Sequence, residues 1–175
     1  MYKRQGDYNP GGRLAVTFPK SVGQIPFAFP FKPGSDESSE TSVYGALYPF
    51  GHGLSYTTFQ YSDLVISPSK QGVQGNISIS CTIKNIGQRE GDEVVQLYLR
   101  DEVSSVTTYT QVLRGFERIT LKPEASHTVH FELTPQELGI WDKQMNFTVE
   151  PGMFKVMIGS SSKDIRLKGE FEIAQ

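Results

Sequence analysis

Two adjacent carboxylate pairs, Asp92-Glu93 and Asp101-Glu102, are the first residues whose types could support acid–base or nucleophilic chemistry. Both lie at the ends of segments with strand-like alternation. Consecutive side chains on a strand point to opposite faces, so neither pair aims two carboxyls at one substrate, and both read as solvated strand ends. The three histidines, His52, His127 and His130, have no spacing that suggests a shared metal; His127 opens a strand and His130 falls on its polar side. Cys81 shares the apolar parity of Ile79 and Ile83, which makes it a small buried hydrophobe rather than a reactive thiol. As the sole cysteine it forms no internal disulfide. Ser21 and Ser55 have no nearby His and Asp to activate a weakly nucleophilic hydroxyl. The residues therefore supply no catalytic group, no metal ligand and no cofactor site. Trp141 and Tyr98 are rings on which a sugar could stack, with core or interdomain packing the favoured reading. Asn76-Ile77-Ser78 and Asn146-Phe147-Thr148 match the glycosylation triplet but begin strands, and no function is assigned to them.

The elements that must position these residues divide the chain in two. Residues 1 to about 58 are rich in Gly, Pro and aromatics, with Phe27, Phe29, Phe31, Tyr44, Tyr48, Phe50 and Tyr56 among them, and show no steady period. Such an arm cannot bury its rings alone and needs a partner: the rest of the chain, a missing domain, or a second copy giving a homodimer. Within it, the run from Lys32 to Ser42 reads as a solvated linker. From residue 59 the pattern becomes period two, with strands expected near 59–67, 77–85, 93–100, 112–121, 127–133, 146–149, 152–159 and 165–173. Ile77, Ile79, Cys81 and Ile83 alternate with hydroxyl residues, and Val95, Leu97 and Leu99 alternate with Gln96, Tyr98 and Arg100. The parity slips between Phe116 and Ile119, which predicts a bulge or a change of sheet in that strand. Pro151-Gly152 predicts a hairpin turn with positive φ at the glycine. Thr134-Pro135-Gln136-Glu137 predicts a single capped helical turn near Leu138. The fold class is all-β, an antiparallel sandwich with an irregular N-terminal arm.

The bulk numbers exclude other classes. The formal charge is -2 with no long basic run, so nucleic acid is not an expected partner, and apolar stretches of four to six residues are too short to span a membrane as a helix.

Leu47-Tyr48-Pro49-Phe50-Gly51-His52-Gly53-Leu54-Ser55-Tyr56-Thr57-Thr58-Phe59 resembles the lead-in to the C-terminal fibronectin-III-like domain of family 3 glycoside hydrolases. Gly91-Asp92-Glu93-Val94-Val95-Gln96-Leu97-Tyr98-Leu99, Leu113-Arg114-Gly115-Phe116-Glu117-Arg118, and Val149-Glu150-Pro151-Gly152-Met153-Phe154 with Met157-Ile158-Gly159 resemble its later signatures in order. Upstream, Gly6-Asp7-Tyr8-Asn9-Pro10-Gly11-Gly12-Arg13-Leu14, Thr17-Phe18-Pro19 and Ser21-Val22-Gly23-Gln24-Ile25-Pro26 are similar to the last segment of that family's α/β domain. Where the family carries an apolar strand before this phrase, the chain has Tyr2-Lys3-Arg4-Gln5.

The resemblance implies a division at residue 42: a tail of an upstream catalytic domain with its linker over 1–42, and the sandwich with its aromatic lead-in over 43–175. It implies a parent of the β-glucosidase type working in the periplasm or outside the cell, with both catalytic carboxyls upstream and this segment inactive by itself. The upstream domains would be its partners. Tyr48, Phe50, His52, Tyr56 and Trp141 are the candidates for interdomain packing or the rim of a substrate cleft. Two functions fit: an accessory domain that stabilises the catalytic domains, or a β-sandwich module that binds oligo- or polysaccharide or another protein.

Overall fold

In a computed structural model of the chain, described for residues 2–24, 27–35 and 44–175, two β-sheets pack face to face. The order is α1 (Tyr2–Gln5), β1 (Phe18–Pro19), a 3₁₀ turn (Val22–Gln24), β2 (Ala46–Tyr48), β3 (Phe59–Ser67), β4 (Lys70–Gly72), β5 (Ile77–Asn85), β6 (Gly91–Asp101), β7 (Val112–Leu121) and β8 (Ser126–Leu133). It continues with α2 (Pro135–Leu138), β9 (Ile140–Trp141), β10 (Phe147–Thr148), β11 (Gly152–Gly159) and β12 (Ile165–Ala174). From residue 36 to 42 the expected linker lies outside the described residues, as does Ile25-Pro26.

One sheet has the order β3-β5-β8 and the other β4-β12-β11-β6-β7. All of these pairings are antiparallel except the short β4–β12 contact. Period-two alternation places one side chain set between the sheets. Ile77, Ile79, Cys81 and Ile83 of β5 meet Val95, Leu97 and Leu99 of β6, Val129 of β8, and Val156 and Ile158 of β11 in a single core. Phe154 and Phe171 stack within it at 5.4 Å. Each such side chain contributes about 1.5–3 kcal/mol through burial. Cys81 is fully buried as its parity requires, and burial pushes its thiol up to about 11. The one-turn α2 has its capping box: Thr134 N donates to Glu137 Oε2 at 2.8 Å, Gln136 N donates to the Thr134 hydroxyl at 3.3 Å, and Pro135 stands at the first helical position.

The expected bulge is present in β7, and two other expectations are corrected. Phe116 to Ile119 stays in register opposite Gln96 to Glu93, and the bulge lies earlier, at Arg114, where Leu97 faces Gly115 but Tyr98 faces Leu113. A Cβ at Gly115 would stand 2.9 Å from the Phe131 ring, so the sheets approach closely beside the bulge, and Phe116 turns outward to 67% exposure. Pro151-Gly152 makes no hairpin: β10 pairs with β9, whereas Gly152 opens β11 opposite Ile173 and is not among the positive-φ glycines. Finally, Gln96 sits on the polar parity of β6 yet is buried, and beside it Tyr98 is buried in keeping with the packing reading of its ring.

The burial of both has its cause in the arm, which covers the outer face of the five-stranded sheet. Phe29 meets the Tyr98 ring edge-on at 5.7 Å, and Phe50 stacks on Phe29 at 4.6 Å. Beneath them the Tyr98 hydroxyl donates to Gln96 Oε1 at 2.5 Å, and Gln96 Nε2 donates to the carbonyls of Ser160 at 2.6 Å and Gly51 at 3.2 Å. Gly51 has φ +81, and a Cβ there would lie 2.1 Å from Gln96 Oε1, so both the backbone conformation and the contact exclude a side chain. The sandwich is thus the partner for one side of the arm's aromatics.

Candidate functional site: the open face of the arm

The arm is fastened where β5 ends and β6 begins. Asn9 Nδ2 donates to the Ser55 hydroxyl at 3.1 Å and to the Glu90 carbonyl at 3.2 Å, while Tyr56 N donates to Asn9 Oδ1 at 2.8 Å. Arg89 reaches back to the Gly6 carbonyl at 2.6 Å. Arg13 Nη2 pairs with Glu93 Oε1 at 2.6 Å, with both side chains less than a tenth exposed. Burial raises the Glu93 carboxyl above its ordinary range against the opposing pull of Arg13. Glu93 is therefore not a solvated strand end: it shares the inward parity of Val95, and the arm supplies its counter-charge. Asp92, on the opposite parity, pairs with Arg118 and accepts from the Thr120 hydroxyl at 2.7 Å, and Arg118 hydrogen bonding holds its carboxyl low.

These ties fix the other side of the arm. Leu14 N donates to the His52 carbonyl at 2.9 Å and Gly51 N to the Leu14 carbonyl at 2.8 Å, joining the 12–14 and 51–53 segments. β1 pairs with β2 so that Phe18 faces Tyr48, ring centroids 6.2 Å apart, and His52 stacks on Tyr48 at 5.2 Å. Around these rings lies a depression of 420 Å³ walled by Arg13, Leu14 and Leu54. No carboxyl lines it, so it offers packing and ring contact rather than glycoside chemistry. It is open: Leu54 is 74% exposed, and Phe18 and Tyr48 are a little under half exposed.

The five candidate residues thus separate. Tyr48 and His52 meet on this face with Phe18, which sequence reasoning did not single out although it stands in the Thr17-Phe18-Pro19 phrase. Phe50 points the other way, onto Phe29. Tyr56 lies beside the Asn9 tie with its side chain half exposed. Trp141 is at the opposite end of the sandwich, on the β9–β10 hairpin that follows β8 and precedes β11.

The other carboxyl pair is also engaged. Glu102 binds Arg100 and Lys155, each at 2.9 Å, and the Lys155 hydrogen bond holds it low. Asp101 accepts from Val103 N at 3.2 Å, and burial first, then Glu150 and Glu102, raise it to about 6. Glu150 clamps the following loop by accepting from Ser105 N at 2.8 Å. Among the described residues no group of three or more His, Cys, Asp and Glu could hold a metal ion, and no helix is long and apolar enough to cross a membrane.

Comparison with known proteins agrees with this arrangement. The glycosyl hydrolase family 3 C-terminal domain matches residues 5–56, and the fibronectin type III-like domain matches residues 93–162. The chain is 42% identical to a periplasmic β-glucosidase of Salmonella typhimurium over 96% of its own length, and 43% identical to a β-xylosidase of Formosa agariphila over 93%. It spans 23% of the length of each of these relatives. Among solved structures it superposes on a β-glucosidase from Erythrobacter marinus with a TM-score of 0.90 at 37% identity, covering 97% of this chain and 22% of that one. On the β-glucosidase from Listeria innocua in complex with glucose the TM-score is 0.88 at 31% identity, covering 99% of this chain and 26% of that one. The one family match covers the arm and the other the strands from Glu93 onward, and the chain belongs to family 3 of the glycoside hydrolases, as a C-terminal segment carrying the fibronectin type III-like domain.

Proposed function

We propose that this segment is a non-catalytic accessory part of a β-glucosidase-like enzyme, and that the open face of its arm packs against catalytic domains upstream in the same polypeptide. The observation that carries this reading is the Phe18-Tyr48-His52 cluster with Leu14 and Leu54 beside it: ring packed on ring, largely apolar, and uncovered. An exposed patch of this kind marks an interaction surface. The boundary near residue 42 is functional in this reading rather than spatial, because segments on both sides of it pair with one another through β1 and β2. The parent would hydrolyse O-glycosidic bonds of carbohydrates with carboxyls that lie outside this segment, in the periplasm or outside the cell as the name of the Salmonella relative suggests for that protein.

The test uses a longer enzyme containing this segment. Leu54→Asp places a charge on the face, and its expected effect is a lower Tm for the whole enzyme, with KM for an aryl β-glucoside unchanged. An altered KM at unchanged Tm would instead make the face the rim of the substrate cleft.

A further inference from the structure

We propose that the end of the sandwich farthest from the Arg13–Glu93 tie holds a second site, a groove across Trp141 and Phe147 that binds a neutral, β-linked glycan chain. Strand direction settles the separation: β6 begins beside the tie at Glu93 and runs away from it, whereas the β9–β10 hairpin leaves the end at which β8 stops and β11 starts.

Trp141 and Phe147 face each other across the hairpin with ring centroids 5.5 Å apart, and they are 59% and 46% exposed. The rings are held in place from below and behind. Phe147 lies over Gly139, where a Cβ would stand 2.3 Å from its ring. The hairpin turn is closed by Asp142, whose Oδ1 accepts from Gln144 N and Asn146 N, each at 2.8 Å. Two exposed rings packed together beside a groove form a contiguous apolar patch, the kind of surface that marks a ligand or partner site.

The lining decides what that occupant is. The groove, 720 Å³ in volume, is walled by uncharged side chains only: the two rings, aliphatic groups such as Val73 and Pro135, and the amides of Gln74 and Gln136 with the hydroxyl of Thr148. The carboxyls that flank its lining residues are engaged elsewhere: Glu137 closes the capping box, Asp142 closes the turn, and Glu150 accepts from Ser105 N. A nucleic acid, an acidic peptide or a phosphate would leave its charge without a partner there. A neutral sugar fits: its C–H faces cover aromatic rings and its hydroxyls bond with amide and hydroxyl side chains. The size falls within the range of about 300–1,000 Å³ typical of small-ligand sites. The choice of a β-linked glycan rests on the family reading above.

Trp141 is the only tryptophan, so its emission reports on a ligand bound beside it, and the variants below assign that ligand to the groove rather than to the cavity beside Asp101 and Arg114 that the ring also lines. Titrating the chain with xylo- and cello-oligosaccharides should give a saturable change in emission, with a Kd of about 1 mM or tighter. Gln74→Ala with Gln136→Ala, which keeps the tryptophan, should weaken binding at least about 5-fold, and Tyr48→Ala on the distant arm should leave it unchanged. Loss of the amides carries little folding risk because both side chains are exposed. No response to either sugar series overturns the proposal. So does equal binding of an acidic oligogalacturonide, or an emission change that follows protein concentration alone, which would make a second copy the occupant. A failed titration leaves the arm-docking reading standing, since that reading is measured by the stability of the longer enzyme.

Discussion

Removing the Arg13 guanidinium leaves the Glu93 carboxylate buried with Val94 N as its remaining donor, at 2.9 Å. Arg13→Ala is therefore expected to cost about 3–5 kcal/mol, whereas replacing both partners by apolar residues costs much less, because it removes the buried charge along with its mate. Urea unfolding of the single and double variants checks this, and equal losses would mean that the pair is not coupled. Asp101 gives a signature in pH. Its folded-state value near 6 lies above the ordinary aspartate value of about 3.9, so between these the folded chain holds more protons and stability falls as pH rises. Asp92, Glu137, Glu150 and Asp164 are held low and act with the opposite sign, losing stability as pH falls. Comparing Asp101→Asn with the parent isolates the one group: the variant gains stability at pH 7.5 relative to pH 4, by about 1 kcal/mol after allowing for solvent screening at a half-exposed site. A difference that is the same at both pH values would show that Asp101 does not titrate in this way. The burial of Glu93 was readable in principle, since it shares the parity of Val95. Its acidic type argued for solvent, and only the arm's arginine, eighty positions earlier, reverses that.

At the scale of elements, the strands were legible because a half-buried strand must alternate, and β5 does so without a break from Ile77 to Asn85. The capped turn at Thr134 was legible for a similarly local reason, since its hydrogen bonds close within three residues. What the pattern could not show is that β6 is covered on both sides. Gln96 and Tyr98 are of the polar and amphipathic types found at solvent-facing positions, and their burial depends on Phe29 and Gly51. Gly51→Ala forces a side chain into Gln96 at a positive φ, with an expected loss of about 1–3 kcal/mol. Limited proteolysis should then cut the arm while leaving β3 to β12 intact. Uniform degradation of the chain would show instead that arm and sandwich unfold as one unit. The displaced bulge has the same kind of cause. Gly115 lies against Phe131 of the other sheet, and a contact between sheets leaves no mark in the alternation of a single strand.

For the molecule as a whole, the two uncovered aromatic surfaces lie at opposite ends and answer to different experiments. The isolated chain should show no measurable hydrolysis of an aryl β-glucoside or β-xyloside, because the two-carboxyl arrangement that such chemistry needs is not assembled on either surface. Turnover that persists through repurification would contradict the accessory reading. With the arm face uncovered, the isolated chain is also expected to self-associate as concentration rises, and Leu54→Asp should shift it toward monomer in light scattering. The sequence by itself determined the long strands of the sandwich, the buried cysteine and the capped turn, since each depends on neighbours a few residues away, and the motif order identified the family; the short strands β1, β2, β4 and β9 carry too few residues to show an alternation. Tertiary structure alone decided that Arg13 neutralises Glu93, that Phe50 turns inward while Tyr48 and His52 turn outward, and that Trp141 stands apart from both. Those outcomes depend on contacts between segments far apart in the chain, which strand periodicity cannot encode.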